Sequence, residues 1–262
     1  MTATLARGER TLSWLDGVNP VTKILVALVL SVPLFATLDP VSASVAIVLE
    51  LLCVPLTGLA VATVLRRLVP VVMFAPVAGV SMLLYAQPGG TVYGQFLFAT
   101  VSDDSIALSL AVMLRVLALG LPTILLFGRT DPTELADALA QVAKLPSRFV
   151  LGVLAGARTV GLFVDDWRTM TLARRARGLG DRGAVRRFLG MAFVLLVFAV
   201  RRGTTLATAM EARGFGAEVE RTWSRPSRLH PRDGVALAGA VALIGVALAV
   251  AVASGAFRFV GG

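Results

Sequence analysis

The sequence predicts an all-α polytopic membrane protein of about five transmembrane helices, with a cytoplasmic block of amphipathic helices between the fourth and fifth. Three observations predict it. The 262 residues are 56% hydrophobic and only 16% charged, with a mean hydropathy of +0.82, whereas a soluble domain is nearer a quarter charged. The apolar residues fall in long runs bounded by charge, as membrane helices require. The net charge of +9 is confined to one block: residues 129–232 hold 18 of the 25 Lys and Arg against 9 of the 16 Asp and Glu, and the rest of the chain balances.

Residues 1–19 are a polar entry with Trp14 as an interfacial anchor. Val21 to Leu38 reads as the first span, short and interrupted by Pro33, with Lys23 placed to snorkel to the inner surface. Asp39-Pro40 makes a turn, and Val41 to Leu65 reads as the second span, carrying Glu50 and Pro55 and closed by Arg66-Arg67. Leu68 to Ala86 is the third, ending at the turn signal Gln87-Pro88-Gly89-Gly90. The connection to Asp104 has no Lys or Arg, and Tyr85 and Tyr93 flank it as an aromatic belt does. Ser105 to Gly128 is the fourth span, with Arg115 near its middle, and Val235 to Ser254 is the last.

The Lys and Arg bias sets the orientation. Arg7, Arg10, Lys23, Arg66, Arg67 and the block from Arg129 fall on one side, so the N-terminus and residues 129–232 are expected in the cytoplasm. Five spans leave the C-terminus and Arg258 outside. The division is a membrane domain over 1–128, a cytoplasmic domain over 129–232, and a C-terminal transmembrane helix over 233–262.

The cytoplasmic block reads as helices. Asp131-Pro132-Thr133-Glu134 is a start signal, with Asp as N-cap, Pro in the first helical position and Glu in the third. A longer helix runs from Ser147 to Arg177, with Val160, Phe163, Val164, Trp167 and Met170 on one apolar face and Asp165, Asp166 and Arg168 turned away. Phe188 to Val200 is thirteen apolar residues, a length that suits a buried or re-entrant helix better than a span.

Two stretches in this block repeat one pattern. Ala176-Arg177-Gly178 is followed by Leu179-Gly180, and Ala212-Arg213-Gly214 by Phe215-Gly216. Each glycine stands where a helix takes a left-handed residue at its end, which leaves Arg177 and Arg213 at two helix tips. An arginine there is favoured by the helix dipole in any case. A third copy, Ala6-Arg7-Gly8, lacks the apolar-Gly tail and reads as chance.

Catalytic patterns are missing from the sequence. Neither lysine, Lys23 or Lys144, belongs to a G-x-x-x-x-G-K-[ST] loop, and no Gly-x-Ser-x-Gly or His-Glu-x-x-His occurs. One histidine, His230, and one cysteine, Cys53, leave no basis for a protein-built metal site. Nucleic acid is a poor partner, because the arginines are interleaved with acids and apolar residues. Glu50 and Arg115 are intramembrane ions and therefore candidate polar contacts; each also has an ordinary reading as a helix–helix bond, including a pair with one another. A membrane enzyme or an autonomous carrier is the alternative reading.

Taken together, Leu15-Asp16-Gly17-Val18-Asn19-Pro20-Val21-Thr22-Lys23, Asp131-Pro132-Thr133-Glu134-Leu135-Ala136-Asp137-Ala138-Leu139 and the paired Ala-Arg-Gly signatures resemble the transmembrane T component of energy-coupling factor transporters. That family includes the cobalt-uptake membrane subunit. The resemblance implies a non-catalytic coupling subunit in a bacterial or archaeal cell membrane. It implies a substrate-binding S component for a vitamin or metal ion, and two cytoplasmic ATP-binding-cassette ATPases that bind the ATP. It also implies that Ala176, Arg177, Gly178, Ala212, Arg213 and Gly214 carry the ATPase contacts.

Overall fold

A computed structural model describes residues 13–85, 89–96, 99–178, 183–215, 222–257 and 259. Arg7 and Arg10, the Ala6-Arg7-Gly8 copy, Ala86 with the turn residues Gln87-Pro88, the tails Leu179-Gly180 and Gly216, and Arg258 lie outside the described residues.

Helices dominate: α1 (Pro20–Ala36), α2 (Pro40–Leu52), α3 (Val54–Thr57), α4 (Val61–Tyr85), α5 (Asp103–Phe127), α6 (Pro132–Gln141), α7 (Ser147–Ala176), α8 (Ala184–Ala212) and α9 (Pro231–Ala253). Four of them are long and apolar enough to cross a membrane, namely α4, α5, α7 and α9, while α1 and α2 are apolar but shorter. Contacts divide the chain into two compact units, one of residues 1–135 with 228–262 and one of residues 136–227.

The first unit has an apolar core of Val26, Leu30, Leu34, Ala43, Ala46, Ala118, Leu126, Ala240, Ile244 and Ala247. Small residues on α2, α5 and α9 let these helices pack closely, as membrane bundles do. Helix ends are joined by polar bonds in two separate groups. At one end, Asn19 caps α1 by accepting from Val21 N, and its own N–H donates 2.7 Å to the Asp233 carboxylate at the start of α9. Asp233 also accepts from His230 N, closing the N-terminal turn of α9. Arg129 pairs with Asp16 at 3.1 Å and donates to Gly58 O, and Arg67 donates 2.6 Å to Gly128 O. The starts of α1, α4 and α9 therefore meet the end of α5. At the other ends of α1 and α9, Thr37 bridges to Phe259.

The structure corrects four expectations here. The second span does not reach Leu65: α2 stops at Leu52, the short α3 follows, and Gly58 takes a left-handed φ of +62°. Arg66 and Arg67 consequently lie inside α4. The connection between α4 and α5 is not a plain loop but an antiparallel hairpin of β1 (Val92–Phe96) and β2 (Ala99–Ser102). Its base is tied by Gly89 N donating to Ser102 Oγ and by Thr91 bonding Asp103. Lys23 does not snorkel outward; it is 5% exposed, with Nζ donating 3.3 Å to Thr130 Oγ1 at the end of α5. Finally, Phe188–Val200 is not a separate buried helix. It is continuous with the 29-residue α8, about 44 Å long at 1.5 Å per residue, and Phe188, Leu189, Phe193, Leu196 and Val200 are exposed.

In the second unit the partner of α8 is α7. Its inward face is Met191, Leu195, Ala199 and Arg202 at helical spacing, with Met191 3% exposed. The half-buried face of α7 is Phe163, Asp166, Trp167 and Met170.

Candidate functional site

The ends of α7 and α8 are built alike. At the end of α8, Arg213 is the last near-helical residue, with φ −94° and ψ 12°, and Gly214 turns left-handed at φ +73°. Gly214 N donates 2.9 Å to Glu211 O, and Phe215 N donates 2.9 Å to Met210 O. These two bonds are the Schellman pair, which satisfies carbonyls that the helix leaves open and favours an apolar residue after the glycine. At the end of α7, Arg177 has φ −90° and ψ 9°, Gly178 has φ +69°, and Gly178 N donates 3.0 Å to Arg175 O. The glycines are needed for their backbone angle alone, because a Cβ built on either meets nothing within 4 Å.

That geometry accounts for the two glycines and, at the end of α8, for Phe215, but not for the arginines. Arg177 and Arg213 are exposed, and neither guanidinium meets a carboxylate among the described residues. Among the described residues the two tips present positive charge with no internal partner.

The helices behind the tips are clamped together. Arg202 of α8 grips Asp166 of α7 through two nitrogens, at 2.7 and 3.2 Å, and lies 5.8 Å over the Phe163 ring. Trp167 packs on Phe188 with ring centroids 5.6 Å apart. Asp166 is therefore not turned away, whereas Asp165 and Arg168 form an exposed pair on α7 itself. The spacing carried a signal for this clamp. Asp166 stands 36 positions before Arg202, as Arg177 does before Arg213, and each clamp residue is 11 positions before its cap arginine. Eleven residues are three helical turns, about 16 Å, on nearly the same face.

Glu50 and Arg115 are not brought together. Arg115 is buried in α5 and forms no ion pair among the described residues, and Asp39, which is 0% exposed, caps α2 by accepting 2.6 Å from Ser42 N. Sequence reading placed Asp39 only in a turn. Glu50 is 2% exposed, and neither carboxylate oxygen has a hydrogen-bond partner. Among the described residues there is no group of three His, Cys, Asp or Glu that could hold a metal ion.

Comparison with known proteins gives one consistent result. The CbiQ family, described as cobalt transport protein, matches residues 11–223. The energy-coupling factor transporter transmembrane protein EcfT of Lacticaseibacillus paracasei is 27% identical over 249 residues, covering 90% of this chain and 94% of that protein. The protein of the same name from Brevibacillus brevis is 27% identical over 247 residues, 88% and 92% of the two chains. That of Limosilactobacillus fermentum is 29% identical over 162 residues, 57% of this chain and 61% of the relative.

Proposed function

The chain belongs to the CbiQ family of cobalt transport proteins, and from that premise we propose that it couples two cytoplasmic ATP-binding-cassette ATPases to a substrate-binding S component. Membership makes it a multi-pass membrane protein and the transmembrane component of an energy-coupling factor transporter, not an enzyme. The proposal adds the direction of coupling. In this reading the first unit is the membrane part, with α4, α5 and α9 long enough to cross and the shorter α1 and α2 packed among them, and the N-terminus and the Arg67–Arg129 end lie in the cytoplasm. Residues 129–232, which hold the excess of Lys and Arg, belong in the cytoplasm by that charge bias. ATP binds to the partner ATPases, and the transported vitamin or transition-metal ion is chosen by the S component.

The observation that carries this reading is the pair of exposed cap arginines on similarly built helix tips. A guanidinium forms two parallel bonds to one carboxylate, a geometry that lysine cannot copy. Two tips of one design suit two ATPase subunits of one fold, each offering an acidic groove. ATP hydrolysis in one subunit pair then moves the tips, and the Asp166–Arg202 clamp transmits that motion as a shift of the helix pair.

The experiment is affinity purification of the tagged chain from its native host, with mass identification of what accompanies it. Two cassette ATPases and a small apolar membrane protein are expected, and the isolated chain should hydrolyse no ATP. Recovery of the chain without any ATPase, or ATP hydrolysis by the chain alone, would contradict the proposal.

A further inference from the structure

The first unit contains a cavity of about 410 Å³ between α1, α2, α5 and α9. Leu30, Leu125, Leu126, Ala240 and Leu243 are among its lining, and Glu50 is the one carboxylate in its wall among the described residues. This volume is that of a small-molecule site. Burying a carboxylate away from water without hydrogen bonds is costly, and inside a membrane the cost is greater. Glu50 bears that cost with both oxygens unpartnered at 2% exposure.

Among the described residues no cation is paired with Glu50. Lys23 also lines the cavity, but its Nζ donates to Thr130 Oγ1 and forms no ion pair with Glu50. Arg115 does not line it. Thr57 is satisfied by Val54 O and Leu59 N. A divalent metal ion needs several oxygen or nitrogen donors, and this wall offers a single carboxylate. Lys23 and Thr57 apart, the wall around Glu50 is mostly apolar, and a ligand that brings one positive charge on an apolar body is what would hold this buried carboxyl ionised and give both its oxygens a partner.

We propose that this cavity is a binding site for an amphipathic primary amine, its ammonium held by Glu50 and its apolar body lying against Leu30, Leu125 and Leu243. Leu56, Val235 and Gly239 are exposed at the rim, so the ligand enters from the bilayer side. The ammonium donates to both oxygens of Glu50.

The test uses the full chain in phosphatidylcholine nanodiscs and the fluorescent amine dansylcadaverine, with empty discs as background. Wild type should bind saturably, and the N-acetylated probe, which has the same body without the charge, should bind at least tenfold more weakly. Glu50→Gln should weaken the amine at least tenfold while leaving the acetylated probe unchanged. Gly239→Phe keeps the carboxylate and fills the rim, where an added Cβ meets nothing within 4 Å; it should abolish binding of both probes and shows the site independently if Glu50→Gln does not fold. Adding phosphatidylethanolamine identifies the source: competition assigns the ammonium to a lipid headgroup, no competition to a free amine, and both retain Glu50 as its partner. Equal binding of charged and acetylated probes, equal binding by wild type and Glu50→Gln, or no saturable binding by wild type overturns the proposal.

Discussion

Gly214 and Gly178 show how a short motif divides into parts with separate causes. A residue with a Cβ at φ near +70° pays roughly 1–2 kcal/mol in strain, and both glycines sit there with open space around them. Gly214→Ala should therefore lower the stability of α8's end by about 1 kcal/mol without a steric clash. Hydrogen exchange at Gly214 and Phe215, whose amides make the two capping bonds, is the measurement, and the exchange of the α8 interior should be unchanged. The arginines are a separate matter, since no local bond explains them. Residue types at fixed offsets made the caps legible in the sequence, because left-handed glycine and a following apolar residue are local requirements. Lys23 and Asp166 were misread for the opposite reason. Each is bonded to a group distant in sequence, Lys23 to Thr130 and Asp166 to Arg202, and spacing along one helix does not reveal such partners.

Elements were read well where hydrophobic runs and stop signals agree. The ends of α5, α7 and α9 fall within a few residues of the expected boundaries. The boundary between α2 and α4 was misplaced because charge was taken as the stop at Arg66-Arg67. The backbone instead breaks at Cys53 and at Gly58, and Arg67 folds back onto the Gly128 carbonyl. A hairpin between α4 and α5 was missed because Val92–Phe96 and Ala99–Ser102 are too short to show a clear alternation. For α7 and α8 the telling interaction is the Arg202–Asp166 pair, half-buried and backed by the Phe163 ring. A double-mutant cycle of Asp166→Asn and Arg202→Gln, read by thermal unfolding, should give a coupling of about 1–3 kcal/mol, above the 0.2–1 kcal/mol of an exposed ion pair. The exposed Arg168–Asp165 pair on α7 should give less than 1 kcal/mol in the same cycle. Equal couplings would mean that the clamp does not hold the helices together.

At the scale of the whole molecule, the two units divide the work. The first is a bundle with its own apolar core and a polar lock joining the starts of α1, α4 and α9 to the end of α5. This lock explains why Asn19, Lys23 and Asp16 stand together in the entry sequence. The second exposes large apolar side chains along both long helices, Phe149, Val153, Leu172, Phe188, Phe193 and Leu196 among them. A surface of this kind marks contact with partners or lipid, which fits a subunit of a larger assembly. Its two tips are the part on which the functional account rests, and their affinity for the ATPases tests it most directly. The measurement is the dissociation constant of the detergent-solubilised chain for each purified ATPase, for wild type, Arg177→Ala, Arg213→Ala and the double variant. Stranding the carboxylate of a buried pair costs about 3–5 kcal/mol, and a charge-assisted bond is worth roughly 1.5–3 kcal/mol net. Each single variant should therefore bind on the order of tenfold to a thousandfold more weakly, Lys should not restore what Arg supplies, and the double variant should lose more than either single. Wild-type affinity in both single variants, with normal membrane insertion, would show that the arginines only cap their helices and would contradict the account.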